Sequence, residues 1–187
     1  MKLILLIVLL AATAFVAGAY SKVPKSNNKI AENYLQELKR YPESKEVENV
    51  GEIFLQLFGD FKKGATEEII RKTYADEFYF NDTFRVLNNI DELVPYMIET
   101  AAMVEITTVE LLDTSFNGKD YYLRWVMEMK FDVKNKDIYS KSIGMTQLRF
   151  NENSKIIFHQ DYWDSVDGFY QHLPYLGYFV RKVRNQL

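Results

Sequence analysis

The chain has 187 residues, a formal net charge of −3 and 15% aromatic residues, among them 13 Tyr and 13 Phe. That is enough for one domain with a large apolar interior or pocket, and the slightly acidic balance argues against a nucleic-acid partner gripped through its phosphates. Cys is absent and His occurs only at His159 and His172, which excludes thiol catalysis, disulfides and Cys-based or multi-histidine metal sites; no metal and no cofactor are expected.

Met1 and Lys2 precede an uncharged apolar run from Leu3 to about Tyr20. Ala17-Gly18-Ala19 has the small-x-small form of a signal-peptidase site, and the run is also about long enough to span a bilayer. Residues 1–20 therefore read as a cleaved signal peptide or an uncleaved anchor, with a buried helix as the remaining alternative. Lys22, Lys25 and Lys29 after the run, against Lys2 before it, do not fix an orientation. Either of the first two readings makes the protein exported or membrane-anchored, in the cell envelope or secretory pathway, and not cytoplasmic. Residues 21–45 are polar, with Pro24 and Pro42, and read as a linker with a short helix over 30–40. The folded domain is expected over 46–187.

Val50, Ile53, Phe54, Leu57, Phe58 and Phe61 recur at helical spacing and end at Lys62-Lys63-Gly64. Thr66 is a candidate N-cap for a second helix with Ile69, Ile70 and Tyr74 on its apolar side. A short aromatic strand follows over 76–82. A third helix is expected over 91–102, after Asn88-Asn89, with Pro95 near its first turn.

The remainder reads as sheet. Residues 104–115 form one strand, and Asn117-Gly118 is a turn signal. Over 121–131 the chain alternates, with Leu123, Trp125, Met127, Met129 and Phe131 facing one way and Arg124, Glu128 and Lys130 the other. Further strands run over 138–150 and from Lys155 on, separated by a turn at 151–154. The last, K-I-I-F-H-Q-D-Y-W-D, puts Ile157, His159, Asp161 and Trp163 on one face and Ile156, Phe158, Gln160 and Tyr162 on the other. Two short helices, 166–172 and 176–186, flank Pro174, with Asp164 a candidate N-cap. The aromatic tail around Tyr175, Tyr178 and Phe179 reads as packing over the domain or, with Arg181, Lys182 and Arg184, as lying on an anionic membrane surface. The class is α+β, with helices gathered on one face of an antiparallel sheet.

Three segments resemble a known superfamily. Y-A-D-E-F-Y-F-N-D at 74–82, G-M-T-Q-L-R-F at 144–150 and K-I-I-F-H-Q-D-Y-W at 155–163 are similar to the signature, penultimate strand and last strand of NTF2-like proteins, especially the ketosteroid isomerases and SnoaL-like polyketide cyclases. The resemblance covers about Val50 to Asp167. It implies a cone, a curved antiparallel sheet wrapped around three N-terminal helices with extra C-terminal helices here, enclosing a ligand-sized cavity. It also implies a homodimer through the outer sheet face.

Carried over by position, the resemblance puts the isomerase general base on Asp82 and a pocket tryptophan on Trp163. The isomerases' second acid, kept protonated to donate to an oxyanion, falls on Thr146, and their tyrosine donor falls at Gln56 or an apolar neighbour. Steroid isomerisation by that route is therefore not expected. Asp161 loosely matches the acid/base Asp of the cyclases.

On its own chemistry, Asp82 is either a base for a proton next to a carbonyl or a cap on the turn into Thr83 and Phe84. His159 and Asp161 form a candidate proton-transfer pair; alternatively they satisfy buried backbone groups or pair with Arg149 or Lys141. Trp125, Met127, Thr146 and Trp163 are the candidate ligand wall. Asn81-Asp82-Thr83 also fits a glycosylation sequon, at what would be the cavity mouth. Two functions stay open. One is an isomerase, cyclase or hydrolase acting on a small apolar molecule through Asp82, His159 and Asp161. The other is non-catalytic binding of a lipid-like ligand, or a protein-interaction module, at the cell envelope.

Overall fold

The structure is a computed structural model and describes residues 28–186. The expected leader or anchor and the first part of the linker lie outside the described residues. Among the described residues no helix is long and apolar enough to cross a membrane. The chain divides between Gln36 and Glu37. The first described element is helix α1, Lys29–Arg40, inside the expected linker.

The expected first helix of the domain is broken in two, α2 (Val50–Phe58) and α3 (Phe61–Gly64). Between them the backbone of Asp60 is extended and bridges Thr108, while Gly59 O accepts the N–H of Val109 at 3.2 Å. The chain leaves the helix to pair with the sheet, and the Asp60 side chain caps the next turn by accepting from Lys63 N at 3.3 Å. Helix α4 (Glu67–Thr73) starts at Thr66, whose hydroxyl accepts from Ile69 N as expected. Helix α5 (Ile90–Met103) starts one residue after Asn89, whose side chain accepts from Glu92 N at 3.0 Å. Pro95 thus falls in its second turn, later than expected.

Six strands form one curved sheet in the order β2-β1-β6-β5-β4-β3. They are β1 (Tyr74–Asn81), β2 (Val86–Asn89), β3 (Ile106–Phe116), β4 (Tyr121–Asp132), β5 (Asp137–Phe150) and β6 (Ile156–Trp163). Strand β2 was not expected: V-L-N-N is too short to show alternation. The α+β cone holds, but one strand pairing differs from the expected antiparallel plan, since β1 runs parallel to β6. The other neighbours are antiparallel. Strand β6 carries a bulge. Arg149 opposes Phe158 while Phe150 opposes Ile156, so Ile157 is the extra residue. The bulge turns Ile156, not Ile157, into the core, where it is fully buried with Tyr74 and Phe150. From Phe158 onward the expected alternation holds.

The inner face of the sheet packs on α2, α4 and α5 through Phe54, Leu57, Ile70, Leu93 and Met97, all buried. The outer face holds a buried ion pair. Arg149 Nε donates to Asp120 Oδ1 at 2.6 Å, with both side chains under 10% exposed. Its Nη1 donates to the carbonyls of Leu38 and Tyr41, and its guanidinium lies 5.3 Å from the Phe158 ring. Burial alone would raise the Asp120 carboxyl, but Arg149, Gln147 and Asn117 together hold it below its usual range.

After β6, Asp164 caps helix α6 (Ser165–Gly168) as expected, and a 3-10 turn (Tyr170–His172) follows. Phe169 packs on Phe84 and Phe131, with ring centroids 5.2 and 5.3 Å away. The last helix, α7 (Leu176–Arg184), departs from the expected packing of the tail: Tyr175, Tyr178 and Phe179 are exposed, and the polar side of the helix holds on through Arg184 to Asp167 at 3.0 Å.

Removing one partner of a buried pair strands the other charge. Arg149→Met should lower the unfolding free energy in urea titrations by about 3–5 kcal/mol, and adding Asp120→Leu should recover most of it.

Candidate functional site

Between the inner sheet face and helices α2, α3 and α5 lies a cavity of about 130 Å³. Asp82, His159, Asp161, Trp125, Met127, Thr146 and Trp163 all line it. The helices contribute Phe54, Phe58, Phe61, Tyr96 and Met97 to its wall. The register of the parallel pair explains the convergence. Phe80 lies beside His159 and Asn81 beside Gln160, so the next inward residues, Asp82 and Asp161, come out on one side of the cone.

Asp82 sits just past β1, in a turn where Thr83 has a positive φ of 77°. Its Oδ1 accepts from the backbone N–H of Phe84 and Arg85, at 2.9 and 2.8 Å. Its Oδ2 accepts from the hydroxyl of Tyr96. Trp163 Nε1 donates to its carbonyl at 3.1 Å. Asp82 therefore caps the turn with one oxygen and meets Tyr96 with the other. Burial pushes its carboxyl above the usual range; the Tyr96 and backbone donors oppose this, and nearby Asp161 adds to it. Burial, then Asp82, pushes the Tyr96 hydroxyl far up.

The second group runs across four strands, β4, β5, β6 and β1. Trp125 Nε1 donates to Thr146 Oγ1 at 2.8 Å, and Thr146 Oγ1 donates to Asp161 Oδ1 at 2.6 Å. His159 Nε2 lies 3.0 Å from the same Oδ1, and its Nδ1 lies 2.7 Å from the hydroxyl of Tyr74. Tyr74 is fully buried, and that burial, with Asp161 and Asp82 nearby, keeps its hydroxyl protonated. A carboxylate oxygen accepts, so His159 Nε2 donates to Asp161, while Nδ1 shares a hydrogen bond with the Tyr74 hydroxyl. His159 is 1% exposed and boxed by the rings of Phe58, Tyr74 and Phe80. It lines the cavity with both nitrogens engaged. Asp161 Oδ2 has no hydrogen-bond partner among the described residues. Arg149 and Lys141, weighed as partners for this pair, bind Asp120 and Glu128 instead.

Gly144 makes room for this arrangement. It pairs with Trp125 on one side and Trp163 on the other, and a Cβ there would stand 2.3 Å from Trp125 Cη2. Gln56 is exposed, and the wall at that point is Phe54 and Phe58. Asn81 points away from the cavity: its Nδ2 is buried against Gln160 and Tyr79 on the outer face, which removes the sequon as a usable glycan site. Sequence reasoning missed Tyr74 and Tyr96 as polar partners. In the sequence both read as members of apolar helical stripes, although Tyr74 opens β1, and only their positions next to His159 and Asp82 expose the role of the hydroxyls.

No family model matches the chain, and no curated protein matches it in sequence. Solved structures do match in shape. A protein with a ketosteroid isomerase-like fold from Catenulispora acidiphila, in complex with trimethylamine, superposes with a TM-score of 0.58 at 16% identity, over 69% of this chain and 96% of that one. The chain has the NTF2-like fold. A protein assigned as a SnoaL-like polyketide cyclase from Shewanella denitrificans gives 0.53 at 13% identity, over 63% and 91% of the two chains. An LEH-like epoxide hydrolase from M. tuberculosis gives 0.51 at 12% identity, over 64% and 83%. At these identities the likeness of the NTF2-like cone is one of fold.

Asp82 gives this cone a pH dependence. Between the ordinary Asp range, about 4, and its raised pKa, the folded protein keeps a proton that the unfolded chain releases. Stability therefore falls as pH rises through that window. Asp82→Asn should flatten the slope in denaturant titrations taken across pH; an unchanged slope would show that another group sets it.

Proposed function

We propose that this NTF2-like cone holds a compact, mainly apolar small molecule and that Asp161 moves a proton on it, in an isomerase-, cyclase- or hydrolase-type reaction. One observation carries this reading. Asp161 is anchored through Oδ1 by Thr146 and His159, while Oδ2 is left free on the cavity wall. A carboxylate fixed in this way can take a hydrogen from a carbon next to a carbonyl: the C–H bond breaks, its electron pair forms an enolate, and the proton rests on Oδ2 until it returns. His159 and Thr146 act as positioning residues. Asp82, with both oxygens engaged, orders the turn and holds Tyr96 at the wall. The apolar run from Leu3 to about Tyr20 supports an exported or anchored setting.

A second reading, binding without chemistry, rests on a separate observation. The Thr146 hydroxyl and His159 Nε2 both donate to Asp161, and the Tyr96 hydroxyl donates to Asp82. None of these donors is left for an enolate oxygen, which such chemistry needs.

One experiment separates the two. Deuterium exchange at the α-carbon of a compact enolisable ketone, followed by proton NMR, should be accelerated by the full chain. Asp161→Asn should lose about 100- to 10,000-fold of that acceleration. A ketone that binds without exchange would favour the binder; exchange untouched by Asp161→Asn would remove Asp161 from the chemistry.

The outer face is also proposed to meet a second copy. Ile143 there is 73% exposed and Tyr162 is 41% exposed. Ile143→Asp should convert a dimer to a monomer in light scattering, and a monomeric parent protein would remove this part.

A further inference from the structure

The buried carboxylates of this fold are neutralised in two different ways. On the outer face Asp120 has a full countercharge in Arg149. In the cavity neither Asp161 nor Asp82 has a Lys or Arg partner among the described residues. Asp161 is met by Thr146 and His159, and Asp82 by Tyr96 and two backbone N–H groups. Among the described residues no Lys or Arg lines the cavity. Arg85, whose guanidinium lies 5.3 Å from the Tyr96 ring, is exposed and not part of the wall. His159 meets Asp161 through Nε2 and the Tyr74 hydroxyl through Nδ1.

Carboxylates away from water are costly unless a positive charge meets them. The rest of the wall suits the same visitor. Phe58, Phe80, Tyr96, Trp125 and Trp163 line the cavity, and aromatic rings attract cations through their quadrupoles, most strongly where water is excluded. The volume, about 130 Å³, is close to that of an engineered apolar cavity of about 150 Å³ known to take a single benzene. It suits a compact group and not an extended lipid.

We propose that the ligand of this cavity is a compact alkylammonium cation, its charge set against Asp161 and its alkyl groups against the aromatic wall. The inference rests on the reading above that the cavity is a ligand site, and it adds the ligand's charge. Asp82 supplies a second, longer-range attraction from the turn.

The chain has two tryptophans, Trp125 and Trp163, and both line the cavity, so intrinsic fluorescence reports on the site directly. The probes are choline and the neutral alcohol in which carbon replaces its nitrogen, titrated by calorimetry and by fluorescence into the full chain. Choline should bind at least about tenfold more tightly than the alcohol. Asp161→Asn, with its melting profile checked, should reduce choline to the level of the alcohol and leave the alcohol unchanged. Asp82→Asn, which decides the matter if the first variant does not fold, should weaken choline by at least about threefold, again without affecting the alcohol. An alcohol that binds as tightly as choline, or choline binding that survives both substitutions, overturns the cation while the ligand site stands. If neither probe binds or moves the fluorescence, the cation and the ligand site fall together.

Discussion

The parallel pairing of β1 with β6 is the constraint on which the rest depends. It sets Phe80 beside His159 and Asn81 beside Gln160. That register decides which residues share the inner face and which the outer. Inward, it gathers Phe80, His159, Asp161 and, just past the strand end, Asp82. Outward, it gathers Tyr79, Asn81 and Gln160, which hydrogen-bond among themselves. A shift of one residue would exchange the two sets, since strand side chains alternate strictly. The bulge at Ile157 protects the register: it lets Ile156 and Phe150 both enter the core while His159 and Asp161 keep their inward positions.

Around that pairing the fold settles its polar groups differently on its two faces. Outside, Arg149 ties Asp120 to the carbonyls of Leu38 and Tyr41, an ionic contact that fastens the entry segment to the sheet. Inside, no Lys or Arg among the described residues meets the carboxylates; hydrogen bonds run from Trp125 through Thr146 to Asp161, and His159, bonded to Tyr74, reaches the same oxygen. Such a network fixes the side chains in place. This difference separates the outer face, tied by an Arg–Asp ion pair, from the cavity, whose acids are held by hydrogen bonds.

Elements that depend on neighbouring residues were legible in the sequence. The caps at Thr66 and Asp164, the turn at Asn117-Gly118 and the alternation from Leu123 to Phe131 all follow from short-range rules. The cone itself was legible through three segments similar to a known fold. The wall residues Trp125, Met127, Thr146 and Trp163 followed from that likeness together with the period of two. What was missed depends on contact. Helix α2 stops at Phe58 because Asp60 bridges Thr108, and β2 exists because β1 is there to pair with it. Tyr96 looks like an apolar helix residue until Asp82 is placed against it.

The sequence by itself determined the class, the helical stripes, the strand faces and the pool of acids available for chemistry, because these are set by residue spacing and the geometry of single elements. The tertiary structure decided how that pool divides. Asp82 is committed on both oxygens, His159 is engaged at both ring nitrogens, and Asp161 keeps one oxygen without a hydrogen-bond partner among the described residues. That division rests on hydrogen bonds between residues up to 85 positions apart, and no spacing rule reaches across such a distance.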